Sequence, residues 1–309
     1  MKGTVLKSTG NLYQVLTEDG EHVECTLRGK IRLKGIRSTN PVAVGDKVII
    51  EIEDSEGVIS EIIPRENHII RRSTNLSKES HIIAANIDQL VLMATLKQPA
   101  TSTGFIDRVL ITAEAYHIPS LIVFNKIDLL SSEELESLEN LISVYEQIGY
   151  TCLKMNALSV DQQEIEDLFK GKVTLLSGHS GVGKSTLVNI LQPGLELRTA
   201  EVSVAYNKGK HTTTFAEMHP LDIGGFIVDT PGIKGFGMVA TDKEDLSHYF
   251  LEMRKLLPEC KFNNCQHINE PSCAVKNALE EGRIAESRYR SYLNMHNEDE
   301  GPYRTDIYG

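Results

Sequence analysis

The sequence predicts three folding units in series: a small all-β barrel over residues 1–68, a central α/β unit over 69–243, and a mostly helical, metal-binding unit over 244–309. Three observations carry this division. Up to about residue 63, apolar residues alternate with polar ones in short runs, the period of half-buried strands. From Asn86 onward, apolar runs of strand length alternate with amphipathic stretches of helical period, the pattern of a doubly wound, mainly parallel sheet. Near the end, Cys260, Cys265, His267 and Cys273 fall into C-x4-C-x-H-x5-C.

Composition agrees with a soluble globular chain: 40% hydrophobic and 24% charged residues over 309 positions. Runs such as Leu90-Val91-Leu92-Met93-Ala94 are too short to span a bilayer, and Met1 to Gly10 lacks the apolar stretch of a signal peptide. A cytoplasmic location follows as the expectation. Five cysteines without an export signal then point to metal ligation or chemistry, not to disulfides. A net charge of −11 argues against non-specific nucleic-acid binding and leaves any RNA contact to a local patch; no DNA and no membrane partner is expected.

In the first unit, Leu12–Leu16, His22–Leu27 and Lys47–Ile52 alternate, with turns at Ser8–Asn11, Glu18–Gly20 and Asp54–Gly57 between them. About five short strands in this length make a small barrel, OB-like or SH3-like. Arg28, Lys30, Arg32, Lys34 and Arg37 form a basic run with no acid among them. In so acidic a protein this is a candidate phosphate-backbone patch. Pro64 to Ser80 reads as a polar linker, with Arg71 and Arg72 as further candidate contacts.

The second unit starts with the strand Gln89–Met93, then a helix over 105–117, a strand over 121–124 and a helix over 133–148 capped from Ser131 or Ser132. A strand at 152–155, a helix at 162–170 and a strand at 173–176 follow. The last leads into Gly178-His179-Ser180-Gly181-Val182-Gly183-Lys184-Ser185-Thr186, which fits the phosphate-loop pattern G-x-x-x-x-G-K-[ST]. Glycines let amides approach an anion, and the following helix aims its positive end at the same point. Lys184 is expected on the β/γ-phosphates and the Ser185 hydroxyl on Mg²⁺.

Asn125-Lys126-Ile127-Asp128 directly follows the strand over 121–124. A carboxylate at Asp128 can accept from the N1–H and exocyclic amine of guanine, and adenine has no matching donors. The Lys126 stem can lie over the base. Asp229, ending the strand Gly225–Val228, can hold Mg²⁺ through water, and the Gly232 amide can meet the γ-phosphate. Between these lies Gly209-Lys210-His211-Thr212-Thr213-Thr214. Thr212 and Thr213 are candidate nucleotide contacts, and one threonine, with Thr213 the candidate, completes the Mg²⁺ shell when GTP is present.

Here the N-K-x-D motif and Asn156-Ala157, in the place of a Ser-Ala base loop, precede the phosphate loop. Ordinary GTPases have the reverse order. A parallel sheet tolerates this rearrangement, because cutting one surface connection and joining the old ends leaves each strand in place. The central unit therefore reads as a circularly permuted GTPase. In the third unit, three thiolates and one imidazole within fourteen residues make a closed tetrahedral set for structural Zn²⁺. Asp245–Leu257 and Ala274–Tyr292 read as flanking helices, Cys25 and Cys152 as core residues, and Asn294–Gly309 as a polar, mobile tail.

A small β-barrel, a permuted GTPase, the run Gly-Lys-His-Thr-Thr-Thr and the C-x4-C-x-H-x5-C tail together resemble the bacterial small-ribosomal-subunit biogenesis GTPases, the RsgA family. The resemblance spans nearly the whole chain. It implies an OB-fold that binds 16S rRNA, a zinc domain that also touches the particle, and GTP hydrolysis stimulated by the 30S subunit during its late maturation. A monomer is the expected form. Asn156 departs from the usual Ser. Ile233 stands where a water-orienting Gln often follows D-x-x-G, so His211 becomes the candidate catalytic group beside Lys184. Other readings are a non-catalytic GTP-gated RNA adaptor, a permuted GTPase of the large subunit, and a GTP-dependent metal-delivery protein, which a closed four-ligand site disfavours.

Overall fold

In the computed structural model, the described residues are 1–28, 41–53, 56–72, 80–157, 159–195, 216–229 and 243–298. Five strands make the first unit: β1 Lys2–Ser8, β2 Tyr13–Thr17, β3 His22–Leu27, β4 Lys47–Glu53 and β5 Glu56–Ile62. They run in the order β1-β2-β3-β5-β4, and β4 pairs back onto β1. Within this closed ring β3 and β5 run parallel and the other pairs antiparallel. That is the five-stranded OB arrangement. The inward side chains alternate along each strand and fill the barrel with Val5, Tyr13, Val15, Cys25, Val48, Ile50 and Ile59.

The described part of residues 64–80 is more than a linker. Strand β6 (His68–Arg72) pairs antiparallel with β7 (Ser80–Ala85) in a separate two-stranded sheet. The flanking Arg and polar residues mask a short β-branched signal, Ile69-Ile70, which pairs with Ala84 and Ile82. Ile69 and Ala84 are buried with Leu6 and Val44 of the barrel in the same core as the central sheet.

The central sheet contains β8 Gln89–Ala94, β9 Ser120–Phe124, β10 Thr151–Lys154, β11 Val173–Ser177, β12 Glu217–Pro220 and β13 Phe226–Asp229. Its order is β10-β9-β8-β11-β13-β12; the first five are parallel and β12 is an antiparallel edge. The edge is not free, because Lys7 of β1 pairs with Glu217 of β12 by main chain and by an ion pair. The barrel thereby extends the central sheet to eleven strands.

Helices α1 (Thr103–Ala115) and α2 (Ser132–Ile148) cover one face; α3 (Gln162–Phe169) and α4 (Lys184–Leu191) cover the other. Alternate residues of each strand serve the two faces: Leu90, Leu92 and Ala94 meet α1 and α2, and Val91 and Met93 meet α3 and α4. Such two-sided burial explains why these strands read as continuous apolar runs. Cys152 packs against the first core, half-buried. Ser131 caps α2 through a complete capping box with Glu134, and Gly149 ends the helix in the left-handed region.

The expected helix over 245–257 is broken. Residues 243–249 form a 3-10 helix, α5 is only Leu251–Arg254, and Pro258 lies in a second 3-10 turn. Phe250 leaves helical geometry between them and buries its ring completely, edge-on to Tyr292. The expected helix over 274–292 is also two: α6 Ala274–Glu280 and α7 Glu286–Asn297, parted by Gly282 at φ +72°. Helix α7 continues past the predicted start of the tail and buries Met295. Among the described residues, no helix is long and apolar enough to cross a membrane.

One buried ion pair ties the barrel mouth to the chain that leaves it. Arg65 donates from Nε and Nη2 to the two oxygens of Asp46 at 2.6 Å, and Nη2 also reaches the Pro41 carbonyl. Asp46 is fully buried and also accepts from the Ala43 amide. Removal of one partner leaves the other charge uncompensated in the interior, at a cost of about 3–5 kcal/mol. Arg65→Ala should lower the barrel's unfolding free energy by that amount, measured by hydrogen exchange of the barrel amides at increasing urea.

Candidate functional site

Five parallel strands end at one edge of the sheet, and the phosphate loop, the N-K-x-D segment and Asn156-Ala157 fall there. Strand β11 runs into residues 178–183 and then directly into α4, whose first residue is Lys184. Gly178 at φ +140° and Gly183 at φ +105° are both required by the turn. A Cβ at Gly178 would stand 2.4 Å from the Met93 carbonyl oxygen, and one at Gly183 would stand 2.3 Å from Asn125 Nδ2. The loop is thus a backbone cradle that side chains would fill. Lys184 folds over it, with Nζ 2.7 Å from the carbonyl oxygens of both Gly178 and His179. Ser180, Gly181, Ser185 and Thr186 are exposed along the cradle, and Val182 is buried beneath it. A cradle of amides, one ammonium group and a helix N-terminus is suited to a polyphosphate.

The N-K-x-D segment leaves β9 beside this cradle. Asn125 is buried at 4% exposure and serves both neighbours: its Nδ2 donates to the Val182 carbonyl at 2.8 Å, and its Oδ1 accepts from the Ala157 amide at 3.1 Å. One side chain therefore joins the phosphate loop to the loop after β10. Sequence reasoning placed Asn125 in the motif without this function, which depends on three loops meeting in space.

Lys126 takes the left-handed conformation at φ +61°, and its Nζ donates to the Gln98 carbonyl at 2.6 Å. Ile127 and Asp128 follow in a 3-10 turn that leaves the Asp128 carboxylate exposed. Asn156 is half-buried beside Ala157. Two neighbours were missed from sequence. The turn at Gln98-Pro99 supports Lys126 and lies against Gly181, and the ring of Phe105 in α1 stacks on His179 with centroids 3.9 Å apart. Neither belongs to a motif; a Pro just beyond a buried strand was the only local signal. Burial, with the Lys184 charge second, holds the His179 imidazole below its usual basicity.

Asp229 ends β13 by its main chain. His211, Thr212, Thr213, Thr214, Gly232 and Ile233 lie outside the described residues. Of the basic run, Arg28 is described and forms ion pairs with Glu51 and Glu53 on the barrel surface; Lys30, Arg32, Lys34 and Arg37 lie outside. Arg71 and Arg72 belong to β6 by their main chain.

The third unit gathers Cys260, Cys265, His267 and Cys273 with ligand atoms all within 4.8 Å of one another. His267 turns its Nδ1 toward the sulfurs, 3.3 Å from Cys273 and 3.6 Å from Cys260. The Glu270 carboxylate accepts from the amides of Gln266, Ile268 and Asn269, which shapes the turn. From α7, Tyr289 and Tyr292 donate their hydroxyls to the carbonyls of His267 and Gln266 at 2.6 and 2.7 Å. Burial, and behind it the crowding of Cys273 and Cys260, pushes the Cys265 thiol up to about 12. A dication reverses that preference and lets three thiolates coexist, so the donor set fits Zn²⁺.

Comparison with known proteins agrees with this geometry. A family model described as RsgA GTPase matches residues 62–239, and one described as RsgA N-terminal domain matches residues 2–59. The small ribosomal subunit biogenesis GTPase RsgA of Bacteroides fragilis is 57% identical over 307 residues, covering 98% of this chain and 99% of its own. That of Christiangramia forsetii is 51% identical and covers 100% and 99%. Among solved structures, YjeQ from Thermotoga maritima superposes with a TM-score of 0.78 at 36% identity, over 96% of each chain. YloQ, described as a circularly permuted GTPase, superposes with a TM-score of 0.73 at 30% identity, over 96% of this chain and 93% of its own.

Two outcomes follow from the site. Asn125→Ala leaves the Val182 carbonyl and the Ala157 amide without their partner, at about 1–3 kcal/mol for each buried group. Nucleotide affinity, measured by calorimetry, should fall at least about tenfold. Cys265→Ser should lower zinc content, measured by elemental analysis, and increase amide exchange across residues about 258–275, because bound metal supplies folding energy there. Nucleotide binding should survive the second change.

Proposed function

The chain belongs to the RsgA GTPase family of circularly permuted GTP hydrolases, and on that premise we propose that it acts in late maturation of the 30S ribosomal subunit. The observation that carries the reading is the Asn125 stitch, which holds a phosphate cradle, a base-reading segment and a base loop as one nucleotide site. Relatives that match it end to end are named as small ribosomal subunit biogenesis GTPases. As a factor of ribosome assembly it works in the cytoplasm, as a monomer.

Each residue's part follows from chemistry. Gly178–Thr186 bind the phosphates of GTP and GDP through main-chain amides, and Lys184 meets the β/γ-phosphates. Asp128 reads guanine, with Lys126, Ile127, Asn156 and Ala157 around the base. Ser185 and Thr213, with Asp229 through water, hold Mg²⁺, which neutralises phosphate charge. Thr212 and Gly232 complete the nucleotide contacts. His211 orients or polarises the attacking water, since Ile233 cannot. Cys260, Cys265, His267 and Cys273 hold one structural Zn²⁺. Because Arg28 is engaged by Glu51 and Glu53, the contact with 16S rRNA falls chiefly to Lys30, Arg32, Lys34 and Arg37. The units are a barrel through the end of β5 at Ile62, a GTPase domain from there to about residue 243, and a zinc domain over the residues that follow.

Phosphate release with and without isolated 30S and 50S subunits tests the reading. The free protein should turn over well below the roughly 1–10³ per second of typical enzymes. The 30S subunit should accelerate it strongly and the 50S subunit should not. His211→Ala should keep GTP affinity and 30S binding and lose most of the accelerated rate. No acceleration by either subunit favours the non-catalytic adaptor, and acceleration by 50S moves the site of action to the large subunit. Asp128→Asn should weaken GTP binding and admit xanthosine triphosphate, whose extra carbonyl accepts from an amide; competition binding with the two nucleotides measures the switch.

A further inference from the structure

Helix α1 touches both the phosphate cradle and the zinc-binding unit, within one turn of its start. Ser102 caps it by accepting from the Phe105 amide, so the first turn is held in place. The Phe105 ring stacks on His179 at 3.9 Å with an interplanar angle of 28°. The carbonyl of that same His179 accepts from Lys184 Nζ. Two residues on, about 200° round the helix, the side chain points the opposite way. There Asp107, fully buried, accepts from Arg288 Nη1 of α7 at 2.7 Å and from the Tyr145 hydroxyl of α2 at 2.8 Å.

Arg288 is itself fully buried, and its other hydrogen bonds go to the zinc-binding unit. Nε and Nη2 donate to both oxygens of Glu252 in α5, and the Phe250 ring lies 4.8 Å from its centre. Farther along α1, Arg108 pairs with Glu298, and Ile111 is buried in the same cluster as Cys265, Cys273 and Tyr292. A close-packed helix held on both sides transmits a displacement instead of absorbing it.

We propose that Phe105 is a positioning residue for the phosphate loop and that the Asp107–Arg288 pair ties its position to the zinc-binding unit. Through this helix, movement of the zinc-binding unit alters how firmly His179 and Lys184 hold the nucleotide. The path is separate from the segment after Asp229, which joins the same two units along the chain. The inference rests on the reading of the cradle as a guanine-nucleotide site.

The test is the rate of GDP release from the full, zinc-loaded chain, followed with a fluorescent guanine nucleotide. Phe105→Leu, which keeps an apolar side chain and loses the ring, should speed release roughly two- to tenfold, the value of an aromatic stack. Phe105→Tyr should restore the slow rate. Arg288→Lys, which keeps the charge and loses the fork, should speed release in the wild-type background and add nothing in the Phe105→Leu background. Glu252→Gln replaces it if Arg288→Lys does not fold by circular dichroism. Independent effects that multiply in the double variant overturn the proposal. So does an Arg288→Lys protein with a lower melting temperature and an unchanged release rate, the mark of a merely structural pair. Failure of the wild type to bind GDP at all overturns the nucleotide-site reading itself, and the coupling falls with it.

Discussion

The arrangement depends on a single buried amide, that of Asn125. Three loops from different strands converge at the edge of the sheet, and each brings main-chain groups that water cannot reach. An asparagine offers a donor and an acceptor to loops on opposite sides, and here it does so from the end of a buried strand. Aspartate or leucine at that position would leave one or both partners unpaired. The Gly183 turn is shaped to this amide, since any side chain there would collide with it. The phosphate loop and the loop after β10 are therefore held relative to each other by this one side chain.

Circular permutation leaves this constraint untouched, which is why the order of motifs along the chain differs from that of ordinary GTPases without consequence for the site. The strands keep their neighbours and direction; only the surface connections differ. The permutation does have an effect at the new ends. The barrel that precedes the GTPase domain continues its sheet through β1 and β12, and the zinc-binding unit that follows it packs on α1. Both joints carry charge out of water: Asp46 with Arg65 where the chain leaves the barrel, Asp107 with Arg288 where α1 meets α7. Buried ion pairs contribute little net stability compared with apolar packing, but they tolerate little displacement. At a junction between units, that property sets orientation.

Much of this architecture was legible in the sequence. Period-2 alternation identified the barrel, continuous apolar runs identified strands buried on both faces, and the phosphate-loop, N-K-x-D and Cys3His patterns marked residues that the fold brings together. These signals are local, because backbone geometry and ligand chemistry impose spacing within a few residues. The hairpin β6–β7 was hidden for a local reason too. Two isoleucines set among arginines and polar residues resemble a linker until their partner strand is known.

What only the tertiary structure decided are contacts between residues far apart in sequence. Phe250 breaks a helix because its ring is worth more buried against Tyr292 than its main chain is in helical geometry. Asp107 and Arg288 are 181 positions apart and carry no mutual spacing. Asn125 and Val182 are 57 apart, and the fold alone brings the amide to the carbonyl. Residue types and their periods determined the elements and the chemistry available to the chain. Close packing, which has no sequence period, determined which elements meet and where a buried charge or amide is held.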